Sequence, residues 1–221
     1  MLGGGSFIYG GFRFTCWCAD TDFTIGTSED ARTKRGYCNL LLLKKIAFQP
    51  QTSIVLEFDH KGLLFPAEIH HISREKFEQF FVSSFPTSKT RLLLYEAFSR
   101  YTEAFKSDIT ETFAQWIGGS FTTQKLNPND LDLVTILPVA TFSTYEEKLR
   151  SNFGRQVAKQ EGLDVYFLEV RPQGDPKFPL WNSNYTYWYH QFSTSRKDRF
   201  GKRHPRGFVQ LTYNSFNYEN V

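Results

Sequence analysis

The strongest constraint on this chain is the run Gly118–Val134, GGSFTTQKLNPNDLDLV. It places two aspartates, Asp130 and Asp132, one residue apart in a stretch whose other side chains, Leu131, Leu133 and Val134, are apolar. A strand satisfies both demands. Its side chains alternate, so Leu131 and Leu133 enter a core while the carboxylates share the opposite face, roughly 7 Å apart along it. Like charges that close repel unless something positive lies between them, and a divalent metal is the simple answer. Mg²⁺ takes carboxylate oxygens together with water and substrate phosphates. A two-metal site for phosphoryl chemistry needs a third carboxylate, and Asp164, opening the run LDVYF, fits. A strand–helix–strand unit brings Asp164 opposite the Asp130/Asp132 pair. The Gly118–Gly119–Ser120 turn supplies the rest, because glycine lets backbone approach a phosphate and a serine hydroxyl binds its oxygens. The plainer alternative is a solvated strand end beside a turn.

The rest of the chain supports such a unit. FDHKGLLFPAEIHHIS reads as an extended lead-in, followed by Ser73 as an N-cap and a helix to about Val82. Ser88 to about Lys106 is a second helix, since Leu94, Ala97, Phe98, Tyr101 and Phe105 recur at three- and four-residue steps. Strands are expected at Phe113–Ile117, Leu131–Leu137, Leu163–Val170 and Phe208–Tyr213. A helix is expected over Tyr145–Gln160, stopped by Gly162, and a short aromatic one over Asn184–Phe192. The segments divide as 1–51, an N-terminal extension of open character, 52–110, a helical lead-in, and 111–221, a core.

Residues 1–50 hold all three cysteines and 7 of the 15 glycines, with Leu40–Lys45 as their one dense apolar patch. They read as a small β-rich extension, a tail, or translation from an over-extended start. Cys16, Cys18 and Cys38 lack a fourth ligand at zinc spacing, so free thiols and a reducing cytoplasm are expected. A second Gly-Ser…Asp-x-Asp pattern, ending at Asp20 and Asp22, has Thr21 between its aspartates and reads as chance. No 18-residue apolar run and no basic-then-apolar leader exist, so neither a membrane span nor a secretory signal is expected.

Gly-Ser, nine residues, Asp-hydrophobic-Asp-hydrophobic, then a lone Asp opening a later strand resembles the nucleotidyltransferase superfamily of DNA polymerase beta type. The likeness is to its small stand-alone bacterial and archaeal members. One uncharacterised group of them shares the lead-in GLLFPAEIHHISREKFEQFF, the core above, DVYFL and the ending HPRGFVQL. The resemblance covers roughly residues 56–212. It implies an α+β fold, a mixed sheet backed by helices behind a helical lead-in. It implies that Gly119 and Ser120 hold nucleotide phosphates. Asp130, Asp132 and Asp164 would be catalytic and would ligate Mg²⁺, with Mn²⁺ as substitute. The implied reaction moves a nucleoside monophosphate from an NTP such as ATP to an acceptor hydroxyl of protein, RNA or small molecule, releasing pyrophosphate. Some small stand-alone members belong to toxin–antitoxin or defence systems, so a dedicated partner protein and a catalytically silent binding module are competing expectations.

Overall charge is +3, too mild to argue for nucleic acid. The charge is local, however. Arg196–Arg206, RKDRFGKRHPR, carries six Lys/Arg against Asp198, leaving −2 for the other residues. Arg196, Lys202 and Arg206 are the expected triphosphate contacts. A landing strip for RNA or an acidic partner, and a merely solvated loop, are the alternatives. In the aromatic helix Tyr185, Trp188, Tyr189 and Phe192 share helical spacing. Packing against the sheet is the default reading and a base-stacking platform the sharper one. His190 is given no chemistry, and the His70–His71 pair is expected at the surface.

Overall fold

The computed structural model describes residues 55–218 and, nearer the N-terminus, the backbone of two strands. Its contacts divide the chain into 1–52 and 53–221. In the first unit β1 (Gly5–Tyr9) pairs antiparallel with β2 (Phe12–Cys16). Cys18, Cys38, the Asp20/Asp22 pair and the Leu40–Lys45 patch lie outside the described residues.

The second unit is α+β. Its five-stranded mixed sheet is built from β5 (Ile69–His71), β6 (Phe113–Gly118), β7 (Leu131–Pro138), β8 (Leu163–Val170) and β9 (Phe208–Tyr213), in the order β5-β9-β6-β7-β8. β5 runs parallel to β9 and β7 parallel to β8, while β6 is antiparallel to both of its neighbours. A two-stranded ribbon, β3 (Glu57–Phe58) and β4 (Leu64–Phe65), precedes it.

Both faces of the sheet are covered, which explains why β7 reads as a nearly unbroken apolar run. On one face α1 (Arg74–Glu78, continued by a π-turn over Gln79–Ser83) and α2 (Arg91–Asp108) press Phe77, Phe81, Leu94 and Phe98 onto Ile117, Leu131, Leu133 and Val165. On the other, α6 (Phe178–Ser193) lays Trp181 and Phe192 over Trp116, Val134, Ile136, Leu168 and Phe208. Ser73 caps α1 as its sequence predicts, its hydroxyl accepting from the Lys76 amide. Trp116 is fully buried and donates from Nε1 to Gln210 Oε1 at 2.8 Å. The aromatic helix therefore does pack on the sheet, although it begins six residues earlier than its periodicity suggests, with Pro179 in the first turn where proline needs no donor.

Three further expectations are corrected. The helix expected over Tyr145–Gln160 is two short ones, α4 (Glu146–Asn152) and α5 (Arg155–Ala158), preceded by α3 (Val139–Thr144), which follows β7 directly. The break falls at Gly154, whose extended backbone lies where an added Cβ would meet the Arg150 carbonyl at 2.4 Å. The second helix begins at Arg91 rather than Ser88, because the Ser88 hydroxyl accepts from the Thr90 and Arg91 amides ahead of it. His70 is not at the surface. It is fully buried in β5, its Nε2 at 2.8 Å from the Pro66 carbonyl, while its neighbour His71 is exposed as strand alternation requires.

Candidate functional site

The register of the sheet brings the acidic residues together. In the parallel β7–β8 pair Asp132 is opposite Asp164, on strands about 4.8 Å apart. Both belong to the α6 face, since Leu131, Leu133, Leu163 and Val165 belong to the other. Asp130 precedes β7 by one residue. Burial first, and then the negative charges of Asp130 and Asp164, push the Asp132 carboxyl up to about 6; Arg206 and Arg196 pull the other way. Asp132 is the one charged residue of β7.

Across the β6–β7 pair Asp132 is opposite Gly118, where the chain enters a 3₁₀ turn, Gly119–Thr122. Gly119 has φ +65°, and a Cβ there would lie 1.5 Å from Asp132 Oδ2. A Cβ on Gly118 would lie 2.7 Å from the Phe192 ring. The glycines therefore let the carboxylate and the aromatic helix close onto the turn. Gly119→Ala combines a left-handed backbone, costing about 1–2 kcal/mol in an L residue, with a forced displacement of Asp132. We expect it to lower the thermal midpoint by several degrees, which calorimetry of the purified variant reads.

Two buried guanidinium groups hold this turn. Arg206, within the basic segment by sequence, is turned inward. It donates from Nε to the Phe192 carbonyl at 2.9 Å and from Nη1 to the Gly119 carbonyl at 2.7 Å, and burial lowers its pKa to about 10. Arg91, at the start of α2, is fully buried. Its Nη1 donates to the Phe81 and Phe121 carbonyls, and its Nη2 to those of Thr123 and Lys125, all at 2.6–2.8 Å. The Phe85 ring lies 3.8 Å from its guanidinium carbon. Sequence reasoning missed Arg91, because a charged residue in an amphipathic helix reads as solvent-facing.

A cavity of about 530 Å³ opens beside the turn. Gly119, Ser120, Asp132, Arg196 and Arg206 line it, so five of the eight expected site residues meet there. Lys202 does not line it; the loop turns at Gly201, and Arg203 faces the cavity instead. Trp188 and Phe192, two of the aromatics weighed as a stacking platform, also line it, as do Lys125, Tyr166 and Tyr187, which were not singled out from sequence. Tyr166 and Trp188 are 4.3 Å apart between ring centroids, so aromatic packing of α6 supplies one wall.

Asp130 and Asp164 stand just outside the cavity lining. Asp164 is engaged by Arg155 of α5, which donates to both carboxylate oxygens, and by the Tyr166 hydroxyl at 3.3 Å. As placed, no three His, Cys, Asp or Glu side chains among the described residues stand close enough to hold a metal ion. In kind the donors suit a hard divalent cation, being carboxylates crowded by the strand register.

A family model, described as a family of unknown function (DUF6932), matches residues 56–212. The chain belongs to this family. No curated protein and no solved structure matches it. The DUF6932 span includes every strand of the five-stranded sheet except the last residue of β9, together with all eight expected site residues. Among the described residues no helix is long and apolar enough to cross a membrane.

Proposed function

We propose that this protein is a nucleotidyltransferase, moving a nucleoside monophosphate from an NTP to an acceptor hydroxyl and releasing pyrophosphate. The observation that carries this reading is the β7–β8 register, which pairs Asp132 with Asp164 beside a glycine turn and a cation-lined cavity. Asp130, Asp132 and Asp164 would hold Mg²⁺ or Mn²⁺. The bound cation would neutralise phosphate oxygens and favour ionisation of the acceptor hydroxyl. Ser120 donates its hydroxyl to the phosphates, and Arg196, Arg203 and Lys125 balance their charge. Arg206 fixes the Gly119 carbonyl and so the placement of the turn. In the transfer, the acceptor oxygen bonds to the α-phosphorus and the bridging P–O bond to the β-phosphate breaks. Pyrophosphate leaves with the bridging oxygen, and Asp164 takes the acceptor's proton.

One observation favours a second reading, a catalytically silent module that binds RNA or a partner protein, as in a toxin–antitoxin or defence pair. Arg155 already answers the charge of Asp164 with two hydrogen bonds, as a structural ion pair would.

The test is incubation with Mg²⁺ or Mn²⁺ and each α-labelled NTP, with total cell RNA and lysate as acceptors and an Asp130→Ala/Asp132→Ala variant alongside. Label on RNA or protein that the variant does not produce supports transfer. NTP binding without any label supports the silent module.

A further inference from the structure

We propose that the tip of the loop between α6 and β9 docks single-stranded nucleic acid beside the cavity, presenting a strand end as the acceptor; the acceptor role rests on the transferase reading.

The loop is a built element. Thr194 bridges Pro205, the Ser195 amide donates to the His204 carbonyl at 2.8 Å, and the Asp198 amide donates to the Lys202 carbonyl at 2.9 Å. Asp198 organises its interior: Oδ1 accepts from the Phe200 and Lys202 amides, and Oδ2 lies 2.9 Å from His204 Nε2. The one acid of the segment is thus held in the interior of the loop, where it offsets a single charge among six Lys/Arg.

Those cations divide by position. Arg206 points inward to Gly119. Arg196 and Arg203 line the cavity with Lys125, enough positive charge to meet a triphosphate. Lys197, Arg199 and Lys202 are exposed outside the lining, and among the described residues none forms an ion pair. Between them the Phe200 ring is 78% exposed, with the Arg199 guanidinium carbon 4.7 Å from its centroid. Three exposed cations on the same loop that brings Arg196 and Arg203 to a phosphate-sized site fit a polymer of phosphates. An acidic peptide would use the cations and leave the ring bare. A nucleic acid strand uses both, phosphates on the cations and an unstacked base on the ring. A duplex keeps its bases stacked inside, so the ring selects single strands.

The test uses the full chain with fluorescein-labelled RNA and DNA strands of roughly 12 nucleotides, within the usual footprint of a single-strand site. Anisotropy is read across a salt series, without NTP or divalent cation. Wild type should bind, with affinity falling steeply as salt rises. Lys197→Glu/Lys202→Glu should weaken binding at least tenfold and make the log–log salt slope shallower by about 1.4, roughly 0.7 for each lost phosphate contact. Phe200→Ala should weaken binding about fivefold or more with the slope unchanged. All three side chains are exposed, so an unchanged melting temperature shows the fold intact. Variants that bind like wild type overturn the proposal. So does tighter binding, at matched salt, of a poly-glutamate peptide or of phosphatidylserine vesicles. Comparison of the two strands tells RNA from DNA as the source. Because no nucleotide is present, failure here leaves the transfer reading standing. Strand binding accompanied by label transfer to protein alone overturns the acceptor role.

Discussion

Asp132→Asn should abolish nucleotidyl transfer and, at the same time, make the metal-free protein more stable. The ordinary carboxyl pKa is about 3.9, and burial among Asp130 and Asp164 raises that of Asp132 to about 6. A carboxyl whose folded pKa is raised binds its proton more tightly folded than unfolded. The stabilisation from that proton is complete below about pH 4 and is lost as pH rises through about 6. Above that range the ionised carboxylate opposes folding by on the order of 3 kcal/mol, from two units at 1.36 kcal/mol each. Asn keeps the shape and removes the charge. Its stability should be flat where that of wild type declines, and at pH 7.5 it should exceed wild type by about 1–3 kcal/mol in urea denaturation. Added Mg²⁺ should raise the wild-type melting temperature and leave that of Asp132→Asn unmoved. A residue that weakens its own fold while ionised is expected where charge serves binding. A less stable Asn variant would show that the Asp132 carboxylate is a structural partner.

Arg91→Ala should be the most damaging single change in the second unit. The guanidinium gathers four backbone carbonyls, from Phe81, Phe121, Thr123 and Lys125, in a fully buried position. Deleting it leaves those acceptors without a donor and opens a cavity. At about 1–3 kcal/mol for each buried group left unsatisfied, the loss is at least about 4 kcal/mol even if water reaches some of them. Domains of this size are stable by only about 5–15 kcal/mol, so the variant should be largely unfolded or insoluble at 37 °C. Arg91→Lys keeps the charge and loses the fork, so it should fold with a clearly lowered urea midpoint. The Lys variant should also bind nucleotide more weakly, because three of the four carbonyls belong to the segment following the Gly119–Thr122 turn or to the turn itself. Wild-type stability in Arg91→Ala would mean that the carbonyls find other donors.

These two residues mark how far the sequence was legible. Asp132 stood out because a charge in an apolar run contradicts its surroundings, and strand alternation then gave its partners and its face. β8 and β9 fall where their apolar runs place them, because each run is bounded by a turn residue or a proline. Arg91 carried no such contradiction. Its burial depends on carbonyls 10 to 34 residues away, which local periodicity does not encode. The basic segment marked Arg206 as a triphosphate contact, and it does line the cavity, but its guanidinium is turned onto the Phe192 and Gly119 carbonyls. Arg155 lay inside a stretch read as one continuous helix; the break at Gly154, visible in the sequence as a lone glycine, lets it reach Asp164. The strand register was thus readable from pattern, whereas the buried and paired arginines required tertiary structure.

If these carboxylates and the glycine turn form one cation-dependent nucleotide site, nucleotide affinity must depend on both the cation and Asp132. The most direct measurement is calorimetric titration of a non-hydrolysable NTP into the protein, with and without Mn²⁺, for wild type and Asp132→Asn. The account predicts that Mn²⁺ tightens wild-type binding at least tenfold and does nothing for the variant. Equal affinities with and without Mn²⁺, unchanged by the substitution, would contradict it.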